Sequence, residues 1–387
     1  MLGLAVALLP PLLVGLTLKL NDLDPDAVGG NLSIVLGVGA FFAFAANPIA
    51  GRLSDRTTSR FGMRKPWILV GTLGGYAGIV VIAVAPNLAM VVVGWACAQI
   101  AFNFAIAGLI AMLPDQVPTR IRGKVASAVG LGQNLAGVAA TYLVALFPGS
   151  MQKALLPSLI GMVVLFAAVL PIRDRRRTEA PAEAFSLKTL FGSFVFDPRK
   201  HPDLGWAWLT RLLLVTTQIT AINYLSVYLL TDFGVNADDL GDKVFEATLW
   251  NAAGIVVFTT ALGLLSDRLG RRKPFVVLAA MIAVAGLSTI AFAPTFTVIL
   301  VGEFVMGAGM GSFLAVELAL ITEVLPNAED AGKDLGVINI AQALPQSVVP
   351  AVAPGLIAAL GYAGFFLTGA GAGVLGALAI TRVKSVK

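Results

Sequence analysis

The sequence predicts an all-α integral membrane protein with twelve membrane-spanning helices arranged as two related halves of six. Three observations lead there. Of the 387 residues, 57% are hydrophobic and 13% charged, and the mean hydropathy is +0.87, whereas soluble domains carry about 25% charged residues. The apolar runs are each close to the roughly 20 residues that a helix needs to cross hydrocarbon, and none alternates apolar with polar residues as barrel strands do. Finally, Gly51-Arg-Leu-Ser-Asp-Arg56 returns 212 residues later as Gly263-Leu-Leu-Ser-Asp-Arg268, each copy between two apolar runs. Phe61-Gly-Met-Arg-Lys-Pro66 is likewise answered by Leu269-Gly-Arg-Arg-Lys-Pro274. Pro118, Gly123, Lys124 and Gln133 are answered by Pro326, Gly332, Lys333 and Gln342 at offsets of 208 to 209. Several anchors at nearly one period mark a duplicated unit.

The elements follow in order. α1 (1–20) is apolar, and Gly3 with Pro10 and Pro11 predicts a bend. α2 (31–51) holds Asn47 and runs into the first basic turn. α3 (67–86) has no Asn, Gln or acid in its interior. α4 (88–113) carries Trp95, Gln99 and Asn103 at i, i+4 and i+8, which places them on one helical face. α5 (125–147) contains Gln133 and Asn134, and α6 (152–172) is apolar. α7 (204–231) contains Arg211, Gln218 and Asn223; α8 (243–263) contains Asn251 and ends in the second basic turn. α9 (274–293) again lacks internal polar groups. α10 (295–324) carries Glu303 and Glu317, with Gly307, Gly309 and Gly311 permitting close helix contact. α11 (334–360) presents Asn339, Gln342 and Gln346 at i, i+3 and i+7, beside three bends at Pro345, Pro350 and Pro354. α12 (362–381) includes Gly371-Ala-Gly373-Val-Leu-Gly376. That spacing matches a dinucleotide fingerprint, but without a preceding strand or a following acid it reads as helix packing.

This gives an N-terminal six-helix bundle over 1–172, a linker over 173–203 and a C-terminal bundle over 204–387. The linker opens with Arg173-Asp-Arg-Arg-Arg177 and holds Pro181, Pro198 and Pro202; Phe185, Leu187, Leu190, Phe191 and Phe194 suit a short helix on the headgroup surface. Orientation follows from charge. Of 27 Lys and Arg residues, 23 fall on the side of the basic turns, the linker and the C-terminus, while the opposite loops hold only Lys19, Lys153 and Lys243. By the positive-inside rule the first side, with both termini, is cytoplasmic. The +5 net charge therefore reports topology and anionic headgroups, and no nucleic acid partner is implied. Cys97 is the single cysteine and His201 the single histidine, so no internal disulfide and no metal cluster is expected.

The turn after α2 and its degenerate twin after α8 resemble the signature loop of the major facilitator superfamily. The longer string Asn47-Pro-Ile-Ala-Gly-Arg-Leu-Ser-Asp-Arg-Thr-Thr-Ser-Arg-Phe-Gly-Met-Arg-Lys-Pro-Trp67 resembles the glycoside–pentoside–hexuronide cation symporters and the plant sucrose carriers. The superfamily resemblance covers the whole chain, the narrower one residues 47–67. It implies the major facilitator fold, with a central cavity that opens to each side in turn. It further implies a cytoplasmic gate: Gly51 and Gly263 allow close backbone approach, Asp55 faces the start of α11 near Lys333 and Asp334, and Asp267 faces the start of α5 near Gly123. Arg56, Arg64, Arg268 and Arg272 fasten that gate to Asp115 and Glu323. The sequence departs from the narrower family where symporters place acids in α2, since this chain has Ala43 and Asn47. α1 also lacks the acid of sucrose carriers. Sodium coupling is thereby disfavoured. α7 precedes its signature glycine by more residues than α1 does, which leaves open whether the natural chain begins further upstream.

Buried amides are expensive against lipid, so the helices that carry them are expected to line the interior, and α3, α6, α9 and α12 to face lipid. The candidate substrate ligands are Trp95, Gln99, Asn103, Asn134, Gln218, Asn223, Asn251, Asn339, Gln342 and Gln346. Three charges lie deeper than the loops. Arg211 and Glu317 enter from the same end to equal depth, about 11–12 Å, which suggests an ion pair. Glu303 has no basic residue at its level and is costly to ionise there, which makes it, ahead of Glu317 and Arg211, the proton-coupling candidate. The expected activity is secondary transport of a small, neutral, glycoside-like solute, coupled to protons and carried out by a monomer in the cell membrane, without cofactor or metal. Alternatives are efflux of amphipathic compounds, or a receptor or lipid scramblase on the same scaffold. No nucleophile–base pair or phosphate loop lies in the spans, so no enzyme is expected.

Overall fold

The computed structural model describes residues 1–118, 122–147, 149–176, 201–269, 271–324 and 331–384. It is helical throughout these segments. α1 spans Leu2–Leu23, α2 Val28–Asp55, α3 Lys65–Val84, α4 Leu88–Gln116, α5 Arg122–Leu146 and α6 Ser150–Val169. α7 spans Pro202–Thr231, α8 Leu240–Leu269, α9 Lys273–Ala291 and α10 Phe296–Val324. The last stretch, Ala331–Ile380, is one helical run broken at Gly361, whose φ of 68° and ψ of −178° are non-helical. Its arms, 331–360 and 362–380, are α11 and α12. Ten stretches among the described residues are long and apolar enough to cross a membrane, the last of them containing both arms.

Where the structure adds to the sequence reading, the reason is local. α1 is not merely bent: Pro11–Gly15 forms a π-helical turn between two α-helical segments, because Pro10 and Pro11 remove consecutive backbone donors. α2 and α8 do not end at the signature glycines but continue through the Ser-Asp pairs, so Ser54 and Ser266 are helical. The linker beyond Arg176 lies outside the described residues, and with it the headgroup helix expected there.

Contacts divide the chain into two compact units, Met1–Phe185 with Ser226–Phe245, and Ser186–Leu225 with Glu246–Lys387. In the first, α4 packs on α2 and α3, and α6 on α1 and α3. Small residues set the spacing: a Cβ at Gly161 would lie 2.4 Å from the Ala7 nitrogen, so α1 and α6 touch through their backbones. In the second, α9 packs on α10 and on the final arm, around a core that includes Leu204, Phe275, Val276, Phe313, Val316 and Ile380. Large apolar side chains are exposed on α3, α6, α9 and α12, as at Val70, Val163, Met281 and Leu375. α8 does the same at Leu249, Trp250, Val256, Val257 and Leu264.

Candidate functional site

The first basic turn is organised around one buried guanidinium. Because α2 stays helical to Asp55 and the chain then reverses at Gly62, whose φ of 106° suits only glycine, Arg64 is brought back over Ser54 and Asp55. Its Nη2 lies 2.5 Å from Asp55 Oδ1, its Nε donates to Asp115 Oδ2 at 2.9 Å, and its Nη1 donates to Ser54 Oγ at 2.6 Å. Burial opposes the charge, but the bonds to Asp115 and Asp55 outweigh it and push the guanidinium above its ordinary value. A residue not singled out by the sequence completes the turn. Asp174, just past α6, accepts the backbone N–H groups of Arg64 at 2.6 Å and Lys65 at 2.8 Å, and the Gln116 amide at 3.3 Å. It caps α3 from a distance of 110 residues. An acid inside an Arg-rich run was the available signal.

The second basic turn repeats part of this, since Arg272 Nη1 donates to Ser266 Oγ at 3.1 Å. Arg268 is exposed, and the side chains of Asp267 and Glu323 lie outside the described residues. So do Lys333, Asp334 and Gly123, the partners expected for Asp55 and Asp267. Arg56 is part-exposed beside Gly51.

Deeper in the first unit, Asn47 Nδ2 donates to Asn103 Oδ1 at 3.3 Å and Asn103 Nδ2 to the Gln99 carbonyl at 2.8 Å. Trp95 is fully buried rather than open to a cavity. Its ring occupies the notch at Gly39, where a Cβ would lie 2.3 Å from Nε1, and that N–H has no acceptor among the described residues.

In the second unit α8 and α10 form the matching seam. A Cβ at Gly307 would lie 2.0 Å from the Asn251 carbonyl oxygen, one at Gly254 2.2 Å from that of Phe304, and one at Gly311 2.4 Å from that of Ile255. This backbone contact lets the short Asn251 side chain reach across: its Nδ2 donates to Glu303 Oε2 at 2.9 Å and to the Glu303 carbonyl at 3.2 Å. Glu303 is buried, so the carboxyl that the sequence left without a basic partner is held by an amide.

A third cluster joins three helices. Arg211 Nη1 lies 2.9 Å from Glu317 Oε1, and Arg211 Nη2 donates to Gln342 Oε1 at 3.3 Å. The 2.9 Å contact is ionic without hydrogen-bond alignment, and Glu317 Oε1 and Arg211 Nε have no hydrogen-bond partner among the described residues. Both residues line a small cavity with Ala207, Thr210, Val276 and Phe313. Gln218 is half-buried, Asn223 buried and Gln346 exposed, while the side chains of Asn134 and Asn339 lie outside the described residues. Among the described residues no group of three or more His, Cys, Asp or Glu could hold a metal ion.

The profile of the Major Facilitator Superfamily matches residues 1–260 and again 228–386. No match was found among curated proteins. Solved structures of similar fold include the nucleoside transporter NupG, at 13% identity and a TM-score of 0.70 over 99% of this chain and 100% of that one. A D-xylose–proton symporter matches at 19% identity and 0.69, over 100% and 96% of the two chains. The peptide transporter POT matches at 15% and 0.70, over 98% and 92%. With the sequence profile covering both halves and the helices following the same architecture, this chain belongs to the Major Facilitator Superfamily.

Proposed function

We propose that the chain is a secondary active transporter that carries a small, neutral, glycoside-like solute across the cell membrane by alternating access, driven by protons. The observation that supports this best is Glu303, a carboxyl buried within an apolar span and held by the Asn251 amide instead of a cation. A membrane protein keeps such a costly group where it serves transport. Arg211 and Glu317 form the second part of the coupling path.

The amides of Gln99, Asn103, Asn134, Gln218, Asn223, Asn251, Asn339, Gln342 and Gln346 suit a hydroxyl-rich solute because each amide offers both a donor and an acceptor. Residues 47–67 support placement beside the glycoside–pentoside–hexuronide symporters. A symporter of D-xylose and protons also has a similar fold. The clusters around Arg64 and Arg272 act as the cytoplasmic gate in this reading, with the bundles over 1–172 and 204–387, the linker over 173–203 and both termini inside. The protein works as a monomer among membrane lipids and is a carrier rather than an enzyme. A second reading, export of amphipathic compounds, is favoured by Phe41, Phe42 and Phe44 on α2, of which Phe41 is 65% exposed.

Proteoliposomes decide between these readings. Accumulation of a radiolabelled glycoside under an imposed pH gradient, collapsed by a protonophore, is the expected result. Accumulation of a drug-like cation instead favours export. Neither accumulation nor counterflow of either compound would leave a receptor or scramblase.

A further inference from the structure

Lys153 lies at the start of α6, on the side where basic residues are scarce, and is only 3% exposed. A buried ammonium needs an acceptor. Its Nζ donates to the main-chain carbonyl of Asp238, 2.6 Å away in the α7–α8 turn. Its stem lies beside Gly241, where a Cβ would sit 3.5 Å from Lys153 Cε. Other contacts of the same region are weaker in kind. The hydroxyls of Thr17 and Ser226 are 2.8 Å apart and buried, and the rings of Tyr142 and Phe245 meet with centroids 5.3 Å apart.

These contacts join residues 226–245 to α1, α5 and α6. Residues 226–245 belong to the first compact unit, although the remainders of α7 and α8 belong to the second. A continuous helix cannot follow two independently moving bodies, so in a carrier that changes conformation these contacts must release. Ring packing is non-directional and a bond between two hydroxyls is readily exchanged for water. Lys153 alone among these contacts makes a charge-assisted, directional bond across this region.

We propose that Lys153 is a latch that holds the α7–α8 turn against α5 and α6 in one half of the transport cycle and frees it in the other. The inference rests on the transport reading. A lysine suits the role because its compact, strongly hydrated ammonium is satisfied by the carbonyl when closed and by water when open, so neither state leaves it unpaired. The acceptor is backbone, so the Asp238 carboxylate is dispensable.

The test uses a single-cysteine reporter. Cys97, the sole cysteine, is replaced by serine, and Thr17→Cys is introduced at a position that is 0% exposed. Labelling by a membrane-impermeant maleimide is then followed in sealed vesicles of both orientations. Lys153→Met keeps the stem and removes the donor; it should raise the labelling rate by about tenfold, the scale of one charge-assisted hydrogen bond. Asp238→Ala should leave the rate unchanged, as should Lys19→Met, whose Nζ donates to the Ala83 carbonyl. An unchanged rate in Lys153→Met, in protein of unaltered melting temperature, would overturn the latch. So would an Asp238→Ala effect equal to that of Lys153→Met, because the attraction would then lie in the carboxylate. A rise seen only from inside-out vesicles supports the latch and refutes the orientation. A rise in protein that accumulates no solute supports the latch and refutes the transport reading alone.

Discussion

The seam between α2 and α4 and the seam between α8 and α10 correspond under the internal repeat of the sequence, and they differ at one level. Shifted by the repeat, 212 residues on α2 and 208 on α4, Asn47 and Asn103 fall on Thr259 and Gly311. Both pairs are bonded, the second through Thr259 Oγ1 and the Gly311 carbonyl at 3.0 Å. The same shift carries Gly39 and Trp95 onto Asn251 and Glu303. In the first half a ring fills a glycine notch and its N–H finds no acceptor among the described residues; in the second an amide meets a carboxyl. The scaffold therefore tolerates a bulky ring or an amide-bound carboxyl at one site. Glu303 puts an ionisable group only in the second of these two seams, so on the proposed reading the coupling machinery is expected to be asymmetric.

The comparison breaks most completely at Glu303. Glu303→Gln keeps shape and hydrogen bonding but removes the exchangeable charge. It should abolish accumulation driven by a pH gradient while sparing counterflow exchange in proteoliposomes. Full gradient-driven accumulation by this variant would return the second seam to the inert status of the first and move the test to Glu317.

A smaller but still large effect is expected at the other polar cluster of the second half. Removing one partner of a buried ion pair typically costs about 3–5 kcal/mol. Arg211→Ala and Glu317→Ala should each lose stability on that scale in denaturant titrations, while the double variant recovers part of the loss. Simple additivity in the double-mutant cycle would mean that the pair carries no coupling energy.

The seams themselves are compared by altering what each depends on. Gly307→Ala places a Cβ against the Asn251 carbonyl oxygen, and overpacking of this kind costs about 1–3 kcal/mol. It should also weaken coupling, since it pushes the amide away from Glu303. Trp95→Phe deletes an N–H that has no acceptor among the described residues, so its melting temperature should stay close to that of the parent and coupling should be untouched. A loss of coupling in Trp95→Phe would show that the first seam is not inert.

Much of this was legible in the sequence because membrane helices announce themselves by length and apolarity, and because the duplication allowed each half to be read against the other. The ion pair at Arg211 and Glu317 was legible from depth alone. The pairing of Arg64 with Asp115 entered through the family resemblance. What the sequence hid depended on rotation about helix axes. Trp95 shares a face with Gln99 and Asn103, yet a face can be a packed seam as readily as a cavity wall, and only the notch at Gly39 decides which. Asn251 looked like one more amide in a lining, since its contact with Glu303 depends on backbone approach at Gly307. Asp174 was hidden for another reason, because a cap supplied 110 residues away leaves no local pattern.

That cap has a mechanical consequence. Asp174 moors the start of the linker to the first turn of α3, and the Arg175 carbonyl, accepting the Met63 N–H at 3.0 Å, adds a second line. The chain leaving α6 is therefore held to that turn as far as Arg175. Any pull along it is delivered to the turn that holds Arg64 before it reaches the end of α6.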